Sequence, residues 1–438
     1  METDKMELWG GVECTINRVG DRYFNQLQRN GHWYRLEDLD RFADLGLRTL
    51  RFPLLWESLA PESSSEIDWR WSDARLERLQ SLGIRPIVGL LHHGSGPAYT
   101  SLVDPAFADK FAQFAEAVAR RYPHIDAYTP VNEPLTTARF SGLYGHWYPH
   151  GRDDRTFVRT LLSELRGTVL AMRAIHDVNP SAQLVQTDDL GRVYSTSALN
   201  YQADFENERR WISWDLLRGD VGPHHPVWSY LRESGASVDE LEFFRRYPCP
   251  ADVVGINYYV TSDRFLDDNV ELYPEELHGG NGRQRYADDA AVRARPEGIE
   301  GVYARIMEAW QRYRTPIAIT EAHLGSTLDE QLRWLMEMWR NAGRARTEGC
   351  DVRALTVWAL LGSFDWDVLV TRHSGTYEPG AFDLRGDAPR ATPIATAIRE
   401  LNAGREFQHP VLQSKGWWHS EARLRMPGQL TGTGTVLD

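Results

Sequence analysis

The chain is expected to fold as a single-domain (β/α)8 barrel, the closed α/β architecture of eight parallel strands with helices outside. Eight short β-prone runs alternate with helical patterns in one pass along the sequence. No internal repeat or low-complexity linker interrupts them. The 438 residues, 42% hydrophobic and 25% charged, can bury one large core, and barrels commonly reach this length with insertions.

The elements follow in order. Residues 8–14 form a first strand, and Leu36, Leu39, Phe42 and Ala43 mark a helical face closed by Gly46. Residues 48–53 are the second strand, followed by a charged amphipathic helix. Residues 86–91 are a buried third strand, after which Asp104-Pro105 offers a cap and a first-turn proline. Phe107, Phe111, Phe114 and Val118 then share one face. Residues 127–131 are the fourth strand, with a helix burying Phe157, Leu161, Leu165, Val169 and Met172. Strands five to seven are 184–187, 253–257 and 316–320. The helix after strand seven opens with Thr327 and Glu330 as a capping box and buries Leu328, Leu332, Leu335 and Trp339. Residues 355–358 are the eighth strand.

Segments 188–250 and 263–300 exceed a minimal barrel and are expected to wall a cleft at the strand ends. The barrel domain is placed at 1–405. Residues 406–438 are a carboxy-terminal extension, expected to be poorly ordered at its polar Gly/Thr-rich end or to be a linker stump.

A formal charge of −13 argues against nucleic acid or an anionic membrane as partner. No apolar run approaches spanning length, and Met1 to Glu7 is too polar for a signal peptide, so a cytoplasmic location is expected. Cys14, Cys249 and Cys350 suggest neither a disulfide framework nor zinc. Histidines recur at His92-His93, His146, His150, His224-His225, His323 and His373, without HExxH or similar spacing, so no metal and no other cofactor is expected. The 16 tryptophans and 18 tyrosines suit sugar rings as well as cores. The oligomeric state stays open.

Two segments carry the chemistry: Thr129-Pro130-Val131-Asn132-Glu133-Pro134 and Ile317-Ala318-Ile319-Thr320-Glu321. Each places a glutamate directly after a barrel strand, at the rim where such folds keep their sites. Paired carboxylates there point to glycosidic bond cleavage, one as nucleophile and one as acid then base.

With Leu8-Trp9-Gly10, Arg51-Phe52-Pro53 and Trp56, Leu91-His92, Gly255-Ile256-Asn257-Tyr258-Tyr259, Val357-Trp358-Ala359-Leu360-Leu361 and Phe364-Asp365-Trp366, these segments resemble glycoside hydrolase family 1 in order over roughly residues 8–400. That family comprises β-glucosidase- and β-galactosidase-like retaining enzymes. The resemblance implies Glu133 as acid/base and Glu321 as nucleophile. It implies Asn132 on the sugar 2-hydroxyl, and Arg51 and Tyr259 as groups that keep the nucleophile ionised and oriented. Asn17, His92, Asn257, Trp358, Asp365 and Trp366 are the implied sugar contacts.

The chain also departs from the family's pattern. Asn17 stands where a glutamine is usual, His93 replaces a tryptophan and is followed by Gly94-Ser95-Gly96, Ala322-His323 replaces Asn-Gly, and Asp365 replaces a glutamate. The two shortened side chains are expected to leave room at the sugar's far edge, for a sugar other than plain glucose. The resemblance implies a retaining exo-acting β-glycosidase acting on a small glycoside or oligosaccharide. A transglycosidase with the same glutamates and a catalytically silent sugar-binding or scaffolding module are the alternatives.

Overall fold

A computed structural model describes residues 5–425. Eight parallel strands close into a barrel: β1 (Glu7–Gly11), β2 (Thr49–Pro53), β3 (Arg85–His92), β4 (Ala127–Asn132), β5 (Gln183–Asp189), β6 (Val253–Tyr258), β7 (Ile317–Ala322) and β8 (Val352–Val357). Each pairs with its sequence neighbours, and β1 closes the ring by pairing with both β2 and β8. The eight expected strands are therefore the eight observed, with ends shifted by a few residues.

The outer ring contains α1 (Asp38–Asp44), α2 (Arg70–Ser81), α3 (Phe107–Arg121), α4 (Asp154–Val178), α5 (Ile212–Arg218), α6 (Gly301–Tyr313), α7 (Leu328–Thr347) and α8 (Pro393–Asn402). The apolar stripes read from α3 and α4 are buried along their whole length. Asp104 caps its turn by accepting from the Ala106 amide, so α3 starts two residues beyond the proline. Thr327 caps α7 by accepting from the Glu330 amide at 3.4 Å.

Alternation along the strands sorts side chains into two cores. Outward residues such as Leu8, Leu50, Val88, Tyr128, Ile256 and Ile319 pack beneath the helices. Inward, one layer joins Trp9, Ile87, Ala127, Val185, Val253, Ala318 and Ala354, one residue from each strand but β2. The large indole of Trp9 is matched by three alanines, and its N–H donates to Glu7 at 2.8 Å. The barrel interior below the site is thus a packed floor rather than a pore.

The two long connections form helices and a small sheet beside the barrel mouth. That sheet pairs Arg264–Asp267 with Arg285–Ala290 and Val193–Ser195. At the carboxy-terminal side, Trp418 is buried against Trp334 of α7 and donates to Glu337. The Gly/Thr-rich end beyond residue 425 lies outside the described residues. Among the described residues no helix is long and apolar enough to cross a membrane, and no cluster of three or more potential metal ligands occurs.

The floor gives a test of the packing. Trp9→Ala leaves an indole-sized hole among small neighbours and is expected to cost about 3–5 kcal/mol. Urea denaturation of both proteins measures it, and a loss under about 1 kcal/mol would show that the layer is not a close-packed floor.

Candidate active site

The site sits where β2, β4, β6, β7 and β8 end. Arg51, an inward residue of β2, is 6% exposed and its guanidinium is shared three ways. Nη1 donates to Glu321 Oε1 at 2.9 Å and to the Thr320 carbonyl at 2.7 Å, and Nη2 donates to Asn132 Oδ1 at 2.6 Å. Tyr259 donates its hydroxyl to the other oxygen of Glu321. Register shifts in β7 around Thr320 and Glu321 turn both side chains toward the barrel axis, the usual effect of a bulge.

Glu133 follows β4 and takes a left-handed backbone conformation, φ 46°, as the helix Pro134–Ala138 begins. Asn257 Nδ2 donates to Glu133 Oε1 at 2.5 Å, while Asn257 Oδ1 accepts from Thr320 at 2.6 Å. The ring of His93 lies close by, with its Nε2 3.8 Å from Glu133 Oε2. Burial together with the Arg51 charge pushes His93 down to about 3, so it is a neutral neighbour.

The two glutamates therefore differ in what surrounds them. Both are almost fully buried, which favours their neutral forms. For Glu321 that effect is largely offset by Arg51 and the Tyr259 hydroxyl, and its carboxyl lies at about 6. Glu133 has no cation. Burial, then the charges of Glu321, Asp189 and Asp188, push it well above the ordinary carboxylate range. Of the two, the surroundings favour the charged form in Glu321 and the neutral form in Glu133.

Asn132 is fixed from three sides: Arg51 and Thr187 donate to its oxygen, and its nitrogen lies 3.3 Å from His92 Nε2. His92 stacks parallel to Trp358 with 5.4 Å between centroids, and Arg51 lies over the same indole. The Trp358 N–H donates to Glu13, a buried carboxylate at the end of the first strand run that the sequence reading did not single out. Its sequence signal was a lone acid between Val12 and Cys14 in an otherwise apolar stretch. Gly11 is required beside it, because a Cβ there would lie 2.4 Å from the Trp358 ring.

The structure brings together Glu133, Glu321, Arg51, Asn132, Tyr259, His92, Asn257 and Trp358. Asn257, read as a sugar contact, instead commits its amide to Glu133 and its oxygen to Thr320. Asn17 and Asp365 are both held by the chain itself, although the Asn17 Oδ1 is buried with no hydrogen-bond partner. Asn17 donates to the Val370 carbonyl, and Asp365 accepts from the amides of Ser374 and Gly375 and faces His373. Trp147 holds the same turn by donating to the Leu369 carbonyl. Asp365, Leu369 and Val370 all have φ between 50° and 60°, a conformation costly for residues with a Cβ, and these hydrogen bonds maintain it. Trp366 lies half-buried beside His93 and Trp147.

Removing Arg51 tests the electrostatics. Arg51→Met leaves the Glu321 carboxylate buried without its cation, a change that costs about 3–5 kcal/mol. The loss is expected to be larger at pH 8, where Glu321 is ionised, than at pH 5, where protonation relieves it. Equal losses at both pH values in urea denaturation would mean that Arg51 acts through packing alone.

Comparison with known proteins places the chain in a family. The model of glycosyl hydrolase family 1 matches residues 30–377. A protein named probable inactive beta-glucosidase 14 from Oryza sativa is 22% identical over 403 residues, covering 80% of this chain and 77% of the relative. The coniferin beta-glucosidase of Pinus contorta is 22% identical over 425 residues, covering 84% and 82%. The beta-glucosidase of Thermotoga maritima, solved in complex with deoxynojirimycin, superposes with a TM-score of 0.72 at 17% identity, covering 92% of this chain and 98% of that one. With the family model spanning most of its length, the chain belongs to glycosyl hydrolase family 1.

Proposed function

We propose that the chain is a retaining, exo-acting β-glycosidase that works by double displacement. The observation that carries this reading is the opposite environment of the two glutamates: Glu321 is held by a cation and a phenol, and Glu133 is buried without one. Glu133 donates its proton to the glycosidic oxygen while Glu321 attacks the anomeric carbon, giving a glycosyl ester and a free leaving group. Glu133, now ionised, takes a proton from water as that water displaces Glu321 and releases the sugar. Asn132 faces the reacting carbon and contacts the 2-hydroxyl, and His92 and Trp358 border the ring. Asn257 keeps Glu133 oriented.

A catalytically silent sugar-binding module is the second reading, favoured by one observation. Asn17 and Asp365, at positions implied to grip the sugar, are bound by the chain's own turn at 365–375. A panel of 2-deoxy-2-fluoro aryl β-glycosides separates the two readings. A covalent adduct on Glu321, located by peptide mass mapping, supports the hydrolase, and no adduct with any sugar supports the silent module.

Glu321→Gln is expected to lower turnover of aryl β-glycosides by about 10³-fold or more, on the scale of losing an essential group. Glu133→Gln should slow poor leaving groups far more than 2,4-dinitrophenolate, which departs without a proton. A uniform loss across leaving groups would remove Glu133 from the acid role.

The pH profile has a definite sign. Activity needs Glu321 ionised, so it falls as pH drops through about 6, and it needs Glu133 protonated, so it falls again on the alkaline side. Tyr259→Phe removes a donor to the charged form of Glu321 and should move the acidic limb upward in pH. An acidic limb that stays in place would uncouple Tyr259 from the nucleophile.

A further inference from the structure

Beside the glutamates the barrel mouth opens into a cavity of about 390 Å³. Its inner end is marked by Tyr259, which touches Glu321, and by Leu135, two residues beyond Glu133. It therefore borders the chain segments that carry both glutamates. The two long connections supply most of its remaining wall.

Four guanidinium groups line this cavity, those of Arg139, Arg209, Arg210 and Arg264. They face three carboxylates, Asp189, Glu206 and Asp288. Three of the four arginines are already committed. Arg210 donates to the carbonyls of Asn207 and Gly191 and to Glu308 at 3.0 Å. Arg264 donates twice to Asp288, once to its carboxylate and once to its carbonyl. Arg209 reaches Glu206 at 3.4 Å and lies over the rings of Phe157 and Phe205.

Arg139 is different. Its Nη2 donates to the Thr136 hydroxyl at 3.3 Å, and its nearest carboxylate oxygen, on Asp189, is 4.0 Å away. Asp189 itself already accepts from Ser262 at 2.5 Å. The Nε of Arg139 is buried with no hydrogen-bond partner. A buried donor left unmade costs free energy, and a guanidinium fork is shaped for two oxygens of one anion. Arg139 begins the turn of helix Arg139–Leu143 that directly continues the helix after Glu133, so its place relative to the acid is set by a short rigid segment.

We propose that Arg139 binds an anionic group, a carboxylate or a phosphate, carried by the leaving group of the substrate. The inference rests on the hydrolase reading for its word "leaving group", but the binding of the anion does not. The aromatic ring of Phe140 and the side chain of Leu135 flank the same cavity and suit a ring between the glycosidic oxygen and the anion.

Calorimetric titration with three phenols of matched shape tests it: 4-hydroxyphenylacetate, 4-hydroxybenzylphosphonate and 4-ethylphenol. One or both anions are expected to bind the native protein at least tenfold more tightly than 4-ethylphenol, and the tighter of the two identifies the group. Arg139→Gln should abolish that preference, and Arg139→Lys, which keeps the charge without the fork, should retain part of it. Thermal denaturation of both variants checks that they are folded. No preference in the native protein, or a preference that survives in Arg139→Gln, overturns the proposal. The β-glucosides of the same phenols form a second arm, in which the ratio of kcat/KM for acidic over neutral substrate should follow the binding ratio. If none of the glucosides is turned over, it is the hydrolase reading on this sugar that fails, and the titration still decides the role of Arg139.

Discussion

The guanidinium of Arg51 is the contact on which the rest of the site depends. One planar group, carried up the barrel axis by β2, touches the carboxylate and backbone near the end of β7, the amide at the end of β4 and the indole after β8. A buried cation needs an anion beside it, and a buried anion needs a cation. Arg51 and Glu321 meet both demands at once, as an ion pair that is almost fully buried. Everything else nearby is then selected for neutrality: His92 and His93 are held far below their ordinary range by burial, and Tyr259 stays a protonated donor.

The same rule accounts for the carboxyl groups that lack a cation. Burial raises Glu13, pushes Glu57 up to about 8 and Asp188 up to about 7, and raises Glu164 well above its ordinary value. Glu133 belongs to this set by its physics and differs only in where it stands. Its proton is not conferred by any special donor. It follows from burial beside other carboxylates, while Arg51 is bound to the other glutamate.

The barrel was legible because strand and helix periods differ, and because apolar stripes such as Phe107, Phe111, Phe114 and Val118 leave little doubt about which face is inside. The glutamate pair was legible because each follows a strand directly. Other features were hidden for physical reasons. The register shift in β7 has no residue signature, yet it decides where Glu321 points. Asn257 could be seen as polar at a strand end, but its partner on β4 is set only by closure of the ring. Glu13 meets Trp358 across a distance of hundreds of residues in sequence. The fit of the turn at 365–375 against Asn17 and Asp365 was hidden as well. That fit depends on three left-handed residues no propensity would have placed there.

The packed layer around Trp9 has a consequence for traffic. A barrel closed at one end is a cul-de-sac, so whatever reaches the glutamates enters and leaves by the same mouth. Water must likewise come in by that mouth. The single route is therefore written into the architecture, in seven side chains at the bottom of the well.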